Sequence, residues 1–204
     1  MAPNVAAVAP LVRATGVCML HSMLPLSDVQ QLKETLESIR PVKLQNRRAH
    51  RWEHVHSPQT REFVDLAAHP VIAELTRALL GPKTYLEKCG LIQAHPGATA
   101  QRWHMDTPHL FACREHLPPH SLSVFIPLCD LDASNGPTEF QLMSHIKANL
   151  VRSSRCAATC CPAGSLVVYD PRVMHRGGAN QSGADRPLVY LTLSRIWYRD
   201  TLNP

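Results

Sequence analysis

Residues 186–197 have the sequence Arg-Pro-Leu-Val-Tyr-Leu-Thr-Leu-Ser-Arg-Ile-Trp, in which two sets of side chains alternate. One set is Leu188, Tyr190, Thr192 and Ser194, and the other is Val189, Leu191, Leu193 and Arg195. Alternation with a period of two is typical of a β-strand whose two faces meet different surroundings. These residues therefore predict a strand near the end of the chain.

Other short apolar runs of strand length precede this strand, and turn residues separate them. They occupy residues 84–94, 121–131, 138–144 and 164–169. Helical patterns come earlier in the chain, and helices followed by many short strands predict an antiparallel β sandwich or barrel with N-terminal helices. We expect one domain over residues 1–204, with a helical part at about 25–82 and a strand-rich core at about 84–198.

The helical part divides into two regions. Residues 11–24 predict a short strand leading into a helix, for which Ser27 is the expected cap with Gln30 at the capping-box position. Residues 61–80 predict two short helices, the second opened by Pro70 and closed at Gly81.

The composition excludes a disordered or collagen-like chain, because 45% of the 204 residues are hydrophobic and only 18% are charged. Seven cysteines form an odd set without the spacing of a small disulfide scaffold, which favours a reducing compartment. No stretch approaches the roughly 20 apolar residues of a membrane span. We expect an intracellular, cytoplasmic monomer. A cleaved organelle presequence stays open, since residues 1–27 contain Arg13 and no acid.

The segment 43–61 is basic, with little periodicity; it contains Lys43, Arg47, Arg48, Arg51 and Arg61. It is either a contact for an anionic substrate or nucleic acid, or a solvated loop. The loop is favoured because a basic cluster outside a nucleic-acid-binding motif says little about recognition. We therefore expect no nucleic-acid partner.

Residues 101–107, Gln-Arg-Trp-His-Met-Asp-Thr, are the strongest indication of chemistry. In an extended segment, His104 and Asp106 project from one face and can bind one ion. His175, which follows the apolar run 165–170, is the favoured third ligand; His109, His116 and His145 are the alternatives. Two histidines and one carboxylate form the facial triad of non-haem Fe(II) oxygenases, which leaves three positions for other ligands.

An α-keto acid co-substrate of such an iron site carries a second carboxylate, which requires a cation. The planar guanidinium of an arginine binds a carboxylate through two hydrogen bonds. Arg186 is favoured for this role, because Arg176 is adjacent to His175 and on the opposite face by strand alternation, and Arg195 is near the far end of its strand. His175 and Arg186 flank residues 176–185 symmetrically. The simplest hairpin places them opposite each other on neighbouring strands.

With these features the sequence resembles the phytanoyl-CoA dioxygenase family of Fe(II)/2-oxoglutarate-dependent oxygenases. Trp103–Asp106 resembles the iron-binding H-x-D motif of the family, and Ser134–Pro137 resembles its Asn-Gly turn. Further resemblances are the strand 164–170, the distal histidine region 174–178, Arg186 and the strand before the iron motif, 91–97.

The resemblance implies a double-stranded β-helix, or jelly roll, that binds Fe(II), 2-oxoglutarate and dioxygen, with ascorbate as a supporting reductant. It implies hydroxylation of an unactivated C–H bond in a small molecule while 2-oxoglutarate is converted to succinate. Gln93 falls on a position that often contacts the co-substrate, and Thr138 is a second candidate for that contact. Asp106 argues against halogenation, since related halogenases have a small residue there.

The chain also departs from the family. Residues 142–145 are Leu-Met-Ser-His where many relatives have Pro-Gly-Ser-His, and the chain is shorter than many of them. The substrate class is therefore not carried over, and a CoA thioester is not inferred. The same chemistry on a protein or nucleic acid, or a non-catalytic jelly-roll binding protein, stays open as an alternative.

Overall fold

A computed structural model describes residues 5–46, 50–111, 116–146 and 155–201. The helices in these ranges are α1 (Val5–Thr15), α2 (Leu26–Ser38), α3 (Arg61–Ala67) and α4 (Pro70–Leu80). The strands are β1 (Val17–Leu20), β2 (Lys43–Asn46), β3 (Arg51–His56), β4 (Thr84–Ala94), β5 (Ser121–Pro127), β6 (Thr138–Gln141), β7 (Cys156–Ala158), β8 (Leu166–Tyr169), β9 (His175–Gly177) and β10 (Arg186–Arg195).

The strands form two antiparallel sheets that pack against each other. The larger sheet has the order β1-β8-β5-β10-β4-β3-β2, and the smaller has the order β7-β6-β9. Between them lies an apolar cluster to which both contribute: Phe140 of β6 packs against Tyr169 of β8 at 5.1 Å between ring centroids. The predicted mainly β jelly roll with N-terminal helices is confirmed.

The other face of the larger sheet is covered by the helices. Val189 and Leu191 of β10 are buried with Ile72 and Leu75 of α4 in a second apolar cluster. Leu188 and its alternate neighbours point instead toward the smaller sheet. The alternation in 186–197 thus reflects a central strand whose two faces are both buried.

The helix predictions hold in part. The two helices over 61–80 are confirmed, with Pro70 in the first turn of α4. The cap prediction for α2 is wrong: Pro25 occupies the N-cap position, so Ser27 lies within the first turn, where its hydroxyl bonds to the Asp28 carboxylate at 3.0 Å. The predicted strand begins only at Val17, since the preceding residues 5–15 form α1.

Helix α1 also extends the helical part beyond the predicted start at about residue 25. Its buried residues Val5, Val8, Ala9 and Val12 recur at helical spacing and join the cluster beneath α4. Because this short apolar run lacks polar residues, the sequence alone does not show the helical period.

The prediction of a solvated loop is wrong for the described strands of the basic segment. Strands β2 and β3 are an antiparallel pair, and β3 continues the larger sheet by pairing with β4 from Arg51 opposite Ala94 to His56 opposite Cys89. Arg51 and Glu53 take the inward positions of β3 and are buried. Because charged residues occupy these inward positions, the sequence does not show the apolar alternation that predicts a strand. Arg47 and Arg48 lie outside the described residues.

His175 and Arg186 are not hairpin neighbours, in contrast to the prediction. His175 pairs with Phe140 in the smaller sheet, whereas Arg186 pairs with Ala94 in the larger one. The segment between them crosses from one sheet to the other. Buried Asn180 fastens this crossing, because its side-chain amide donates to the carbonyls of Ala94 and Ala184.

Within the four described ranges, the structure contains no helix with the length and apolar character needed to cross a membrane.

Candidate metal centre

His104 and His175 are joined by a reciprocal pair of backbone hydrogen bonds. The His104 N–H donates to the His175 carbonyl at 3.0 Å, and the His175 N–H donates to the His104 carbonyl at 2.9 Å. This bridge brings the two imidazole rings to 4.5 Å between centroids. The predicted ligand from the H-x-D segment and the predicted distal histidine therefore lie side by side.

Each of these histidines uses one ring nitrogen for a backbone contact. His104 Nδ1 lies 2.9 Å from the Arg102 carbonyl, and His175 Nδ1 lies 3.0 Å from the Val173 carbonyl. A carbonyl only accepts, so this contact assigns a proton to Nδ1 in both rings and directs Nε2 toward the Asp106 carboxylate. This contact fixes both the tautomer and the ring orientation that a metal ligand requires.

The Asp106 carboxylate faces both Nε2 atoms. Its Oδ2 lies 3.5 Å from His175 Nε2, and its Oδ1 lies 3.8 Å from His104 Nε2. One donor atom from each residue lies within 4.8 Å of the others. This set of two imidazole nitrogens and one carboxylate fits the facial triad of non-haem iron.

A buried ion pair supports the segment that carries Asp106. The Asp106 N–H donates to the Pro171 carbonyl at 2.9 Å. On either side of Pro171, the Arg172 guanidinium donates twice to the Asp170 carboxylate, at 2.9 and 2.6 Å, with both side chains almost fully buried. Such a bidentate pair holds a short turn rigidly, so Asp106 is attached to a fixed frame.

Tyr169 donates a hydrogen bond to Asp106 Oδ2 at 2.8 Å. Burial of Asp106 opposes ionisation, but His175, His104 and this hydroxyl outweigh it and hold the carboxyl pKa well below its usual range. Burial lowers the pKa of His175, and the opposite charge of Asp106 more than compensates, so that pKa is raised. The Asp106 carboxylate is therefore ionised.

The three residues line a cavity of about 200 Å³ between the sheets. Arg186 and Thr138 line it as well, so the structure brings these two predicted co-substrate contacts to the same space. The other described residues of the wall are Arg51, Glu53, Lys88, Ile92, Gln101, Met105, Thr107, Phe125, Tyr169, Gly177, Leu188, Tyr190, Thr192 and Asp200.

Gln93 is not among the described residues of the wall, although a co-substrate contact was expected of it. Its neighbour Ile92 lines the cavity, and successive residues of a strand point to opposite faces. Gln93 lies opposite Trp52 on the face of β4 that turns away from the cavity. This one-residue register places Gln93 outside the described wall of the cavity.

Arg186 and Arg51 form a cationic end of the cavity. Both are 2% exposed, and the Nε atom of each is buried without a hydrogen-bond partner among the described residues. Burial lowers the pKa of Arg186 to about 10, and the positive charge of Arg51 contributes to the shift. Two like charges held this close stabilise a bound anion.

The competing arginines are used elsewhere. Arg176 pairs with Glu139 at 2.8 Å and lies over the Trp103 ring, and Arg195 donates to the Pro119 carbonyl. Arg51 was missed as a site residue because the basic segment looked like a loop. Its signal was the alternation of charged residues with Trp52 and His54 in a segment next to β4.

The alternative histidines do not join the metal set. His145 Nε2 bonds to the Arg13 carbonyl at 3.0 Å, and its ring packs edge-on against His116. His109 also lies outside the donor set. In the ranges that the structure covers, only His104, Asp106 and His175 form a group of three such donors.

Comparison with solved structures gives three informative matches. The epimerase SnoN, in complex with Fe3+, α-ketoglutarate and nogalamycin RO, has a TM-score of 0.79 at 17% identity, covering 97% of this chain and 87% of SnoN. HygX from Streptomyces hygroscopicus, with nickel, 2-oxoglutarate and hygromycin B bound, has a TM-score of 0.76 at 14% identity, covering 93% and 86%. EctD from S. alaskensis, with 2-oxoglutarate and 5-hydroxyectoine, has a TM-score of 0.77 at 18% identity, covering 97% and 78%.

At these identities the three structures show the shared fold. The family is shown by sequence: a model of the phytanoyl-CoA dioxygenase (PhyH) family matches residues 12–188, which include the candidate metal ligands and Arg186. The chain therefore belongs to the phytanoyl-CoA dioxygenase family of non-haem iron, 2-oxoglutarate-dependent oxygenases.

Proposed function

We propose that this oxygenase hydroxylates an unactivated C–H bond of a small polar molecule. The observation that carries the proposal is the presence of two kinds of site in one cavity: the triad of His104, Asp106 and His175, and the buried guanidinium of Arg186. The first is the donor set for Fe(II), and the second suits the distal carboxylate of 2-oxoglutarate. With both bound, dioxygen is activated while 2-oxoglutarate loses carbon dioxide and becomes succinate.

The chain's own residues contribute binding and orientation. Arg186 and Arg51 hold the distal carboxylate in a region from which water is largely excluded, where charge-assisted hydrogen bonds are strong. Thr138, buried beside Gly177 on the smaller sheet, supplies a hydroxyl at the cavity wall for the co-substrate. Tyr169 keeps its proton on the bond to Asp106, because burial and the nearby carboxylate raise the tyrosine pKa far above its usual value.

A small-molecule substrate agrees with the size of the cavity and with the relatives crystallised with hygromycin B and 5-hydroxyectoine. The basic segment gives less support to a polyanion than its composition suggested. Arg51 is buried in the cavity and Arg61 pairs with Asp65 on the surface.

We also infer an intracellular, cytoplasmic monomer with residues 1–204 in one domain. Cys18, Cys89, Cys129, Cys156, Cys160 and Cys161 are free thiols, which supports a reducing compartment.

The test is succinate formation from 2-oxoglutarate by the purified protein with Fe(II) and ascorbate. We expect turnover that His175→Ala abolishes, with 2-oxoglutarate binding measured separately by calorimetry. If the iron-loaded protein neither turns over nor binds 2-oxoglutarate, and His175→Ala changes nothing, the proposal fails.

A further inference from the structure

The cavity follows strand β10, and its far end lies beyond the reach of the co-substrate. Arg186, Leu188, Tyr190 and Thr192 all face the cavity. At about 3.4 Å per residue, Arg186 and Thr192 are about 20 Å apart along the strand. The four C–C bonds of a five-carbon dicarboxylate span no more than about 6 Å. A 2-oxoglutarate held by Arg186 therefore leaves the Thr192 end for another molecule.

This far end is connected to the metal site across the larger sheet. Four residues on adjacent strands form one row of the larger sheet: Tyr169 is opposite Ser123, Ser123 is opposite Thr192, and Thr192 is opposite Lys88. Tyr169 begins the row with its bond to Asp106, and Ser123 Oγ lies 3.5 Å from Thr192 Oγ1. With strands about 4.8 Å apart, the Lys88 backbone is about 14 Å from that of Tyr169.

An ion pair ends the row. Lys88 Nζ donates to Asp200 Oδ2 at 2.7 Å, and both residues line the cavity. The Lys88 side chain is 25% exposed and that of Asp200 only 4%. The Asp200 N–H also donates to Glu87 Oε1 at 2.7 Å, so the backbone that carries the Asp200 carboxylate is held in place as well.

A fixed cation beside a fixed anion selects the charge of its guest. A guest with one charge improves the contacts of one member of the pair and weakens those of the other in a partly dehydrated site. A guest with both charges matches both members at once. The cavity of about 200 Å³ also has to hold the co-substrate, which favours a small guest such as an amino acid.

We propose that Lys88 and Asp200 are the substrate subsite and that the substrate is a small zwitterion. Its anionic group contacts Lys88 Nζ, and its ammonium group contacts the Asp200 carboxylate. This inference rests on the proposed function and specifies the substrate class of the same cavity. It assigns specificity to two residues that take no part in holding metal or 2-oxoglutarate.

The first experiment uses the unsubstituted, Fe(II)-loaded protein with saturating 2-oxoglutarate and no oxygen. It is titrated by calorimetry with a panel of the standard amino acids, their N-acetyl derivatives and their methyl esters, which differ mainly in charge. We expect at least one zwitterion to bind about tenfold or more tightly than its two derivatives, because each derivative loses a charge-assisted contact. Failure of every zwitterion to bind, while 2-oxoglutarate binds, would overturn the inference and leave the proposed function standing.

The second experiment asks whether each member of the pair sets one charge preference. Lys88→Met should shift the preference toward the cationic esters, and Asp200→Asn should shift it toward the N-acetyl anions. Arg61→Met is the matched control, because it breaks an exposed ion pair with Asp65 and should leave the preference unchanged. If both cavity variants keep the charge preference and the 2-oxoglutarate affinity of the unsubstituted protein, the inference is contradicted. If the unsubstituted protein does not bind 2-oxoglutarate, the proposed function itself is contradicted.

Discussion

The Tyr169 hydroxyl donates a hydrogen bond to Asp106 at 2.8 Å and thereby fixes the plane of the carboxylate between two imidazole rings. Tyr169→Phe removes only this oxygen. We expect metal affinity to fall by about 10- to 100-fold, the usual effect of losing a partner that orients a metal ligand. Calorimetric titration with Mn(II) measures it without turnover.

Tyr85→Phe is the control for this variant. Tyr85 donates a comparable hydrogen bond, to the Tyr198 carbonyl at 2.8 Å, but does not line the cavity. Equal metal affinity in the two variants would show that Tyr169 does not orient the ligand.

Two substitutions at Arg186 separate the contribution of its charge from that of its hydrogen-bond geometry to 2-oxoglutarate binding. Arg186→Met should weaken 2-oxoglutarate binding by roughly 10- to 100-fold, which corresponds to the free energy of a charge-assisted hydrogen bond. Arg186→Lys keeps the charge but loses the planar fork, so an intermediate loss is expected. Calorimetry with 2-oxoglutarate on the metal-loaded protein tests both variants. The assignment is wrong if Arg186→Met binds as tightly as the unsubstituted protein.

Arg51→Met should weaken both the fold and the co-substrate site. It relieves like-charge repulsion with Arg186, but it also removes the hydrogen bonds that Arg51 donates to the carbonyls of Thr99 at 3.3 Å and Gly178 at 3.0 Å, so the free energy of unfolding should fall. The affinity for 2-oxoglutarate should fall by about tenfold, because one of its cations is gone. Chemical denaturation and calorimetry measure the two effects. A variant that keeps full affinity would exclude Arg51 from the co-substrate site.

His120 should make the protein sensitive to acid. It is 2% exposed, and its ring is tilted against that of Tyr198 at 4.2 Å between centroids. Burial, with Arg172 nearby, lowers its pKa to about 4 from 6.5. Between these two values the unfolded chain binds a proton that the native chain does not, so the free energy of unfolding falls as pH drops from 6.5 toward 4. The shift is equivalent to about 3 kcal/mol.

Denaturation at pH 7 and pH 5 tests this. His120→Phe should lose less stability over that interval than the unsubstituted protein, and the same substitution at exposed His21 is the control. An identical pH dependence in all three proteins would disprove the role of His120.

Local periodicity made much of the architecture predictable from the sequence. Strand β10 alternates because it lies between two apolar clusters, and α4 has an apolar stripe because it covers one face of the larger sheet. The H-x-D segment and the distal histidine were also visible, since ligands on one extended segment must be two residues apart to share a face.

The sequence could not show which sheet each strand joins. His175 and Arg186 are close in the chain but belong to different sheets, a choice made by pairing with Phe140 and Ala94. The position of Gln93 could not be predicted for a related reason, because a motif without its register does not specify which face of the strand a side chain occupies. Lys88 and Asp200 are 112 residues apart in the chain, and no local sequence pattern indicates their contact.

The backbone bridge between His104 and His175 has a consequence for metal loading. Because backbone hydrogen bonds join the two histidines, the fold itself brings two of the three candidate ligands together, whereas a zinc finger gathers its ligands around the ion. Metal then acts as an ordinary ligand of a native state and raises the melting temperature in proportion to the logarithm of its concentration above Kd. Iron scarcity would thus leave a folded, inactive reservoir that regains activity when the ion returns.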